Sequence, residues 1–299
     1  MELILKTLKA SGILLASFCI FSCNNGGKSS QDIGISGTKK DSANTDLVKL
    51  NNQIFSIPSP IQTVLLIKKG GYNYDKKILN SSDNYNKYDT RYKKALNLGI
   101  YGADLGYISL YNQNQDAMLY LASIEKLASD VGVAQAFNPD LIKRFQANMG
   151  VQDSLLNMVS DAYRLSDAFF KDNNQKDISS LIIVGGWIES LYFATQENVH
   201  STKDELVKRI AEQKISLQNL LKMLLPYKNK AEYSELVIGL TGLSNDFDNV
   251  EFVYNYVAPT VDAKNKVTSI NSTSEVKISP EQLKDITDKI QTLRNQIAG

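Results

Sequence analysis

The sequence predicts a mainly α-helical fold, either a multi-helix bundle or an αα-repeat array, with a short β-hairpin near the C-terminus. Apolar residues recur at helical spacing over long stretches, and several of these stretches begin with residues that cap helices. Alternation at period two is confined to the segment after residue 250. With 43% hydrophobic and 22% charged residues, the composition is that of an ordinary globular protein.

Residues 1–22 have the pattern of a lipoprotein signal peptide. Two lysines precede a run of twelve uncharged residues, which would span about 18 Å as a helix and is too short for a bilayer core of about 30 Å. The run ends at Ile20-Phe21-Ser22-Cys23, which resembles the relaxed lipoboxes of Bacteroidota, although Phe21 replaces the usual small residue. The resemblance implies that Cys23 is acylated and holds the protein to a membrane.

Residues 23–52 are expected to form a flexible polar tether. The segment is rich in Asn, Gly, Ser and Lys, and it cannot bury enough apolar surface to offset the entropy of ordering. Its root-mean-square reach would be roughly 30 Å. Because no acidic cluster follows Cys23, the sequence favours an outer-membrane anchor that faces the periplasm.

Residues 53–299 are expected to form a single helical domain, at the upper end of single-core size. Helix starts are marked by capping residues at Ser59, Asn138, Thr202 and Ser279. Amphipathic stripes predict helices over 154–170, 203–225 and 280–298. Alternation over Val250–Val257 and Lys266–Ser279 predicts short strands or a hairpin.

Two segments, Leu98–Tyr111 and Ile178–Ala194, are apolar nearly all round, which predicts central buried helices. They also align with each other at an offset of 83 residues. An internal repeat of two units, about 95–175 and 178–255, would account for the alignment. The shared apolar pattern of any two buried helices would account for it as well.

Several kinds of site are excluded by composition. The two cysteines, Cys19 and Cys23, both lie in the leader region, so the folded part has no thiolate nucleophile, disulfide or Cys-ligated metal. A single histidine, His200, excludes a His-cluster metal site, and we expect no metal and no cofactor. Lys+Arg of 33 against Asp+Glu of 32 argues against a large nucleic-acid surface.

Four residues of the two apolar segments are candidate ligand-binding residues: Asp104, Tyr107, Trp187 and Glu189. A carboxylate among aromatic residues can have a raised pKa, and a lone Trp after Gly185-Gly186 can line a cleft. The structural alternatives are a carboxylate held by a tyrosine or an arginine, and a large core residue beside a close helix crossing. Gly102-x-x-x-Gly106 also predicts a close crossing.

The stretch 57–196 resembles uncharacterised helical lipoproteins of Bacteroidota that have no assigned function. The residues behind the resemblance are Ile57-Pro58-Ser59-Pro60, the run from Ala95 to Asp104, and Gly185-Gly186-Trp187-Ile188-Glu189. The resemblance implies no catalytic or binding residue.

Three functions are compatible with the sequence. The first is a lipid-anchored cell-envelope protein that acts as a non-enzymatic binding or scaffolding module for an envelope protein or a peptide. The second is a small-molecule or glycan binder with a cleft at the four candidate residues. The third is a hydrolase that uses Asp104 and Glu189 as paired carboxylates. The absence of any catalytic motif favours the first.

Overall fold

The structure, a computed structural model, describes residues 45–50, 53–134, 139–149, 175–200 and 204–299, together with Val151, Ser154 and Met158. Its helices are α1 (Pro60–Lys69), α2 (Arg91–Leu110), α3 (Asn114–Asp130), α4 (Pro139–Ala147), α5 (Lys176–His200), α6 (Asp204–Leu224), α7 (Ala231–Phe247) and α8 (Pro280–Ala298). Its strands are β1 (Thr45–Leu50), β2 (Gln53–Pro58), β3 (Glu251–Asn255), β4 (Thr260–Asp262), β5 (Val267–Ser269) and β6 (Thr273–Lys277). The predicted fold class, mainly α with a short hairpin near the C-terminus, is confirmed.

Helices α2 and α5 form the centre of the fold, as their all-round apolar character predicted. They pack against each other, and α5 also contacts α1, α6 and α8. Among the described helices, α5 alone is long and apolar enough to cross a membrane by length and composition, over Lys176–Gln196. Because 94% of its most apolar window is buried inside the protein, we interpret α5 as a core helix.

Two glycines set how closely α2 and α5 approach. A Cβ atom on Gly185 would lie 1.9 Å from the carbonyl oxygen of Leu96, and one on Gly99 would lie 2.0 Å from that of Ile182. The two backbones therefore touch directly at this crossing. The expectation of a close crossing beside Trp187 is confirmed. The expectation for Gly102 is wrong, because an added Cβ there would meet nothing within 4 Å, whereas Gly106 does lie at a close contact, since an added Cβ would be 3.0 Å from Ile61 Cγ1 of α1.

Helices α1 and α8 begin with the same Ser-Pro-x-Gln pattern, but the hydrogen bonds at their N-termini differ. At α8, Ser279 Oγ accepts a hydrogen bond from the Gln282 N–H, and the Gln282 side chain accepts one from the Ser279 N–H, which completes a capping box. At α1, Ser59 occupies the N-cap position but its buried hydroxyl makes no capping bond. Without that bond the capping box is incomplete, and the Gln62 side chain accepts a hydrogen bond from Arg209 Nη2 of α6 at 3.0 Å.

The strands form three antiparallel pairs. β1 pairs with β2, so the residues Thr45–Leu50, which we expected to lie in the tether, are in a hairpin with regular backbone pairing. Near the C-terminus, β3 pairs with β6 and β4 with β5. We call the segment from Glu251 to Lys277 the β-ribbon; its predicted hairpin is confirmed, and strand β4 is an addition to the prediction.

Some predicted features lie outside the described residues. These are the signal peptide, Cys23, the tether residues up to 44 and at 51–52, the predicted capping residues Asn138 and Thr202, and most of the predicted helix 154–170. The internal repeat stays a prediction for the same reason.

Candidate functional site

All four candidate binding residues lie on the two central helices, and all four are buried. Asp104 and Tyr107 lie on α2, and Trp187 and Glu189 lie on α5. Asp104, Tyr107 and Glu189 have no exposed surface, and Trp187 is 2% exposed. The structure brings Asp104 and Glu189 together in one cluster, while Tyr107 and Trp187 have partners of their own.

The two aromatic candidates are held by neighbouring segments. Trp187 Nε1 donates a hydrogen bond to Gln213 Oε1 of α6 at 2.8 Å. The Tyr107 hydroxyl accepts one from the backbone N–H of Asp75 at 3.0 Å, and its ring packs on Phe193 with a centroid distance of 5.1 Å. Each aromatic ring therefore connects a central helix to its surroundings, with its polar atom satisfied.

Glu189 forms a buried ion pair with Arg294 of α8. Arg294 Nε lies 3.0 Å from Glu189 Oε2 and its Nη2 lies 2.9 Å from Oε1, so that the guanidinium grips both carboxylate oxygens. The guanidinium carbon also lies 4.8 Å from the centre of the Tyr192 ring, which is within the range of a cation–π interaction. This arrangement connects the C-terminal helix to the core.

Sequence reasoning missed Arg294, although one signal could have found it. Arg294 follows Ile286 and Ile290 at intervals of four along the apolar stripe of α8. A charged residue on a buried stripe requires an opposite charge inside the protein. Glu189, which lies on an apolar helix, is the carboxylate that pairs with Arg294.

Asp104 completes the cluster as a second buried carboxyl group. The Glu189 carboxyl group and the backbone of Asn80 are its polar neighbours, although neither contact has ordinary hydrogen-bond geometry. Burial raises the pKa of Asp104 well above its usual value, the charge of Glu189 raises that pKa further, and Arg294 partly opposes both effects. The neutral, protonated form of Asp104 is therefore the favoured one beside the Glu189–Arg294 ion pair.

This protonation predicts the pH dependence of stability. Because the folded-state pKa of Asp104 lies above the unfolded value of about 3.9, the protein loses stability as the pH rises from about 4 towards the folded pKa. Asp104→Asn removes this loss, since its amide is neutral at every pH. We expect the variant to be more stable than the unchanged protein at pH 7 and the difference to vanish near pH 4. Urea unfolding over this pH range measures it, and a pH-independent difference would contradict the assignment.

The cluster joins α2, α5 and α8, and its arrangement differs from that of the carboxyl pairs of glycosidases. Glycosidases keep their two carboxyl groups about 5–10 Å apart around an accessible bond. Here Asp104 and Glu189 are neighbours, and neither side chain is exposed to solvent. Arg294 donates hydrogen bonds to both carboxylate oxygens of Glu189. The structural alternative for Asp104 was a hydrogen bond from a tyrosine or an arginine; in the structure the arginine instead bonds the neighbouring Glu189. Within the described residues, no group of three His, Cys, Asp or Glu side chains could hold a metal ion.

The β-ribbon is a second candidate site, and unlike the buried cluster it is exposed to solvent. Apolar and aromatic side chains along it face solvent, among them Tyr254 at 65%, Tyr256 at 71%, Val261 at 70% and Ile270 at 80% exposed. Exposed apolar residues that lie together on one element mark interaction surfaces in soluble proteins. The sequence predicted the strands but not their exposure.

The base of the β-ribbon is attached to the helical core through α6. Lys214 Nζ donates hydrogen bonds to the backbone carbonyls of Asp248 at 2.9 Å and Val250 at 3.0 Å, immediately before β3. On the returning strand, Val276 packs partly against the core. The β-ribbon therefore leaves the core at a defined place, while residues 254–271 remain exposed.

Comparisons with protein-family models, with curated proteins and with solved structures find no match to this chain.

Proposed function

We propose that this chain is a lipid-anchored cell-envelope protein that acts as a non-enzymatic binding or scaffolding module, with the β-ribbon as its binding element. The observation that carries the proposal is the exposure of apolar side chains along the β-ribbon. The leader supports the envelope location, because its pattern predicts acylation of Cys23 and an anchor in the outer membrane that faces the periplasm.

The buried cluster supports a structural role for the polar residues of the core. A ligand at Asp104, Tyr107, Trp187 or Glu189 would have to enter a core in which these side chains have almost no exposed surface. Small-molecule or glycan binding, or hydrolysis by Asp104 and Glu189, would therefore require the central helices to separate. The β-ribbon needs no such rearrangement.

The anchor is tested by metabolic labelling. Cells that express the full chain are grown with radiolabelled palmitate, beside cells that express Cys23→Ser. We expect label in the unchanged protein and none in the variant, with the unchanged protein in the membrane fraction. An unlabelled Cys23 would remove the anchor from the proposal.

The binding element is tested by photo-cross-linking in intact cells. A photo-reactive phenylalanine analogue replaces Tyr256 on the β-ribbon or, as a matched control, Ile238 on α7, which is 69% exposed. We expect defined adducts from position 256 and none from position 238. Equal adducts from both positions, or none from position 256, would contradict the proposal.

A further inference from the structure

We infer that the occupant of the β-ribbon is the β-ribbon of a second copy, joined by antiparallel pairing of β3 with its symmetry mate about Val253. The inference rests on the proposed function, because it names the partner of the binding element. The resulting four-stranded sheet would have the order β6, β3, β3 of the second copy, β6 of the second copy. A two-fold axis would pass through the two Val253 residues.

Strand β3 has an open edge. In the described part of the chain β3 pairs with β6 on one side and with no strand on the other. Proteins protect such edges with charge, proline or cover. The only charged residue of β3 is Glu251 at its start, whereas β6 carries Glu275 and Lys277 and packs Val276 on the core. The edge of β3 is therefore the less protected of the two.

Strand β3 is also chemically symmetric about Val253. Antiparallel pairing centred there sets Phe252 opposite Tyr254 of the second copy, twice, and Val253 opposite itself. Aromatic cross-strand pairs of this kind stabilise a sheet by about 0.2–1 kcal/mol each. The outer positions pair Glu251 with Asn255, so no like charges meet.

The β-ribbon has an apolar face near its base. Its register sets Phe252 opposite Val276 and Tyr254 opposite Ser274, so these side chains share one face. A two-stranded ribbon is marginally stable in water, whereas three or more strands with an apolar face are stable. Pairing through β3 would double the strand number and place the aromatic residues of both copies side by side.

The charge of the β-ribbon also fits a second copy. The segment contains the acidic residues Glu251, Asp262 and Glu275 and the basic residues Lys264, Lys266 and Lys277, so its net charge is 3 − 3 = 0. Two copies therefore meet without net repulsion. Anchored copies would also share one membrane surface, which raises their effective concentration.

Single cysteines test the register directly. Val253→Cys is introduced into the full chain, whose native cysteines are Cys19 in the predicted signal peptide and Cys23 at the predicted acylation site. Opposite residues in an antiparallel pair have Cα atoms about 4.5–5.5 Å apart, within the range of about 4.4–6.8 Å that disulfides need. We expect a disulfide-linked dimer on mild oxidation in membranes, and none from the unchanged chain.

Two further variants make the register specific. Glu251→Cys alone and Asn255→Cys alone should not cross-link, because each residue lies four positions, about 13 Å, from its own copy. A mixture of the two variants should cross-link. Equal cross-linking from Glu251→Cys alone, or no dimer from Val253→Cys, would overturn the inference.

Charge substitution tests the association without cysteine. Val253→Lys sets two like charges opposite each other, and Val261→Lys makes the same change on β4, outside the proposed interface. We expect sedimentation of the detergent-purified full chain to give dimers for the unchanged protein and Val261→Lys, and folded monomers by circular dichroism for Val253→Lys. A monomeric unchanged protein would overturn the inference.

The outcomes separate this inference from the proposed function. If position 253 cross-links to a different protein, the binding element stands and the second copy is excluded. If Cys23 carries no lipid but Val253→Cys still dimerises, the anchor falls and the pairing stands.

Discussion

Gly185→Ala should lower the free energy of unfolding by at least about 3 kcal/mol, the upper end of the cost of overpacking a core. The added methyl group would lie 1.9 Å from the Leu96 carbonyl oxygen, which is backbone and cannot rotate away. Relief requires α2 to separate from α5, which would loosen the most extensive helix–helix contact among the described residues. Urea unfolding followed by circular dichroism measures the change.

Gly102→Ala is the matched control on α2. Its Cβ would meet nothing within 4 Å and the position is exposed, so only the helix propensity changes. We expect an increase in stability of about 0.5–1 kcal/mol. If both substitutions shifted stability by similar amounts, the close crossing would not be a feature of the protein in solution.

This pair of glycines shows what sequence reasoning could and could not reach. Local sequence patterns were sufficient to predict individual helices and strands, because capping residues and apolar stripes act within a few turns. They predicted α6, α8 and β3 close to their observed bounds, and the extended segment predicted over Lys266–Ser279 contains β5 and β6. Spacing alone could not tell that Gly99 faces Ile182 while Gly102 faces solvent, because that depends on the rotation of α2 against α5.

Long-range pairing was out of reach for the same reason. Glu189 and Arg294 are 105 residues apart, and neither residue carries a local signal that names the other. The β1–β2 hairpin was missed because it interrupts a polar, Gly- and Ser-rich segment whose composition favours disorder. Whether the β-ribbon is exposed depends on how it packs against the helical core. Its alternating sequence pattern carries no information about that packing.

Arg294→Met should be the most destabilising of the single charge removals in the described region, by about 3–5 kcal/mol. It leaves the Glu189 carboxylate buried, without its cation and next to Asp104, in a core where α8 meets α5. Methionine keeps much of the apolar volume of the arginine stem, so that the loss reports mainly the unpaired charge. Thermal and urea unfolding at pH 7 measure it.

The double variant Glu189→Met with Arg294→Met distinguishes charge from packing. Replacing a whole buried ion pair by apolar residues of similar size is often neutral or stabilising. We therefore expect the double variant to recover most of the stability that Arg294→Met loses. Lys284→Met, which removes the exposed pair with Asp288, should leave stability almost unchanged. If the double variant were as unstable as Arg294→Met alone, the arginine would act through its contacts with Tyr192 and Ile78 and not through the charge of Glu189.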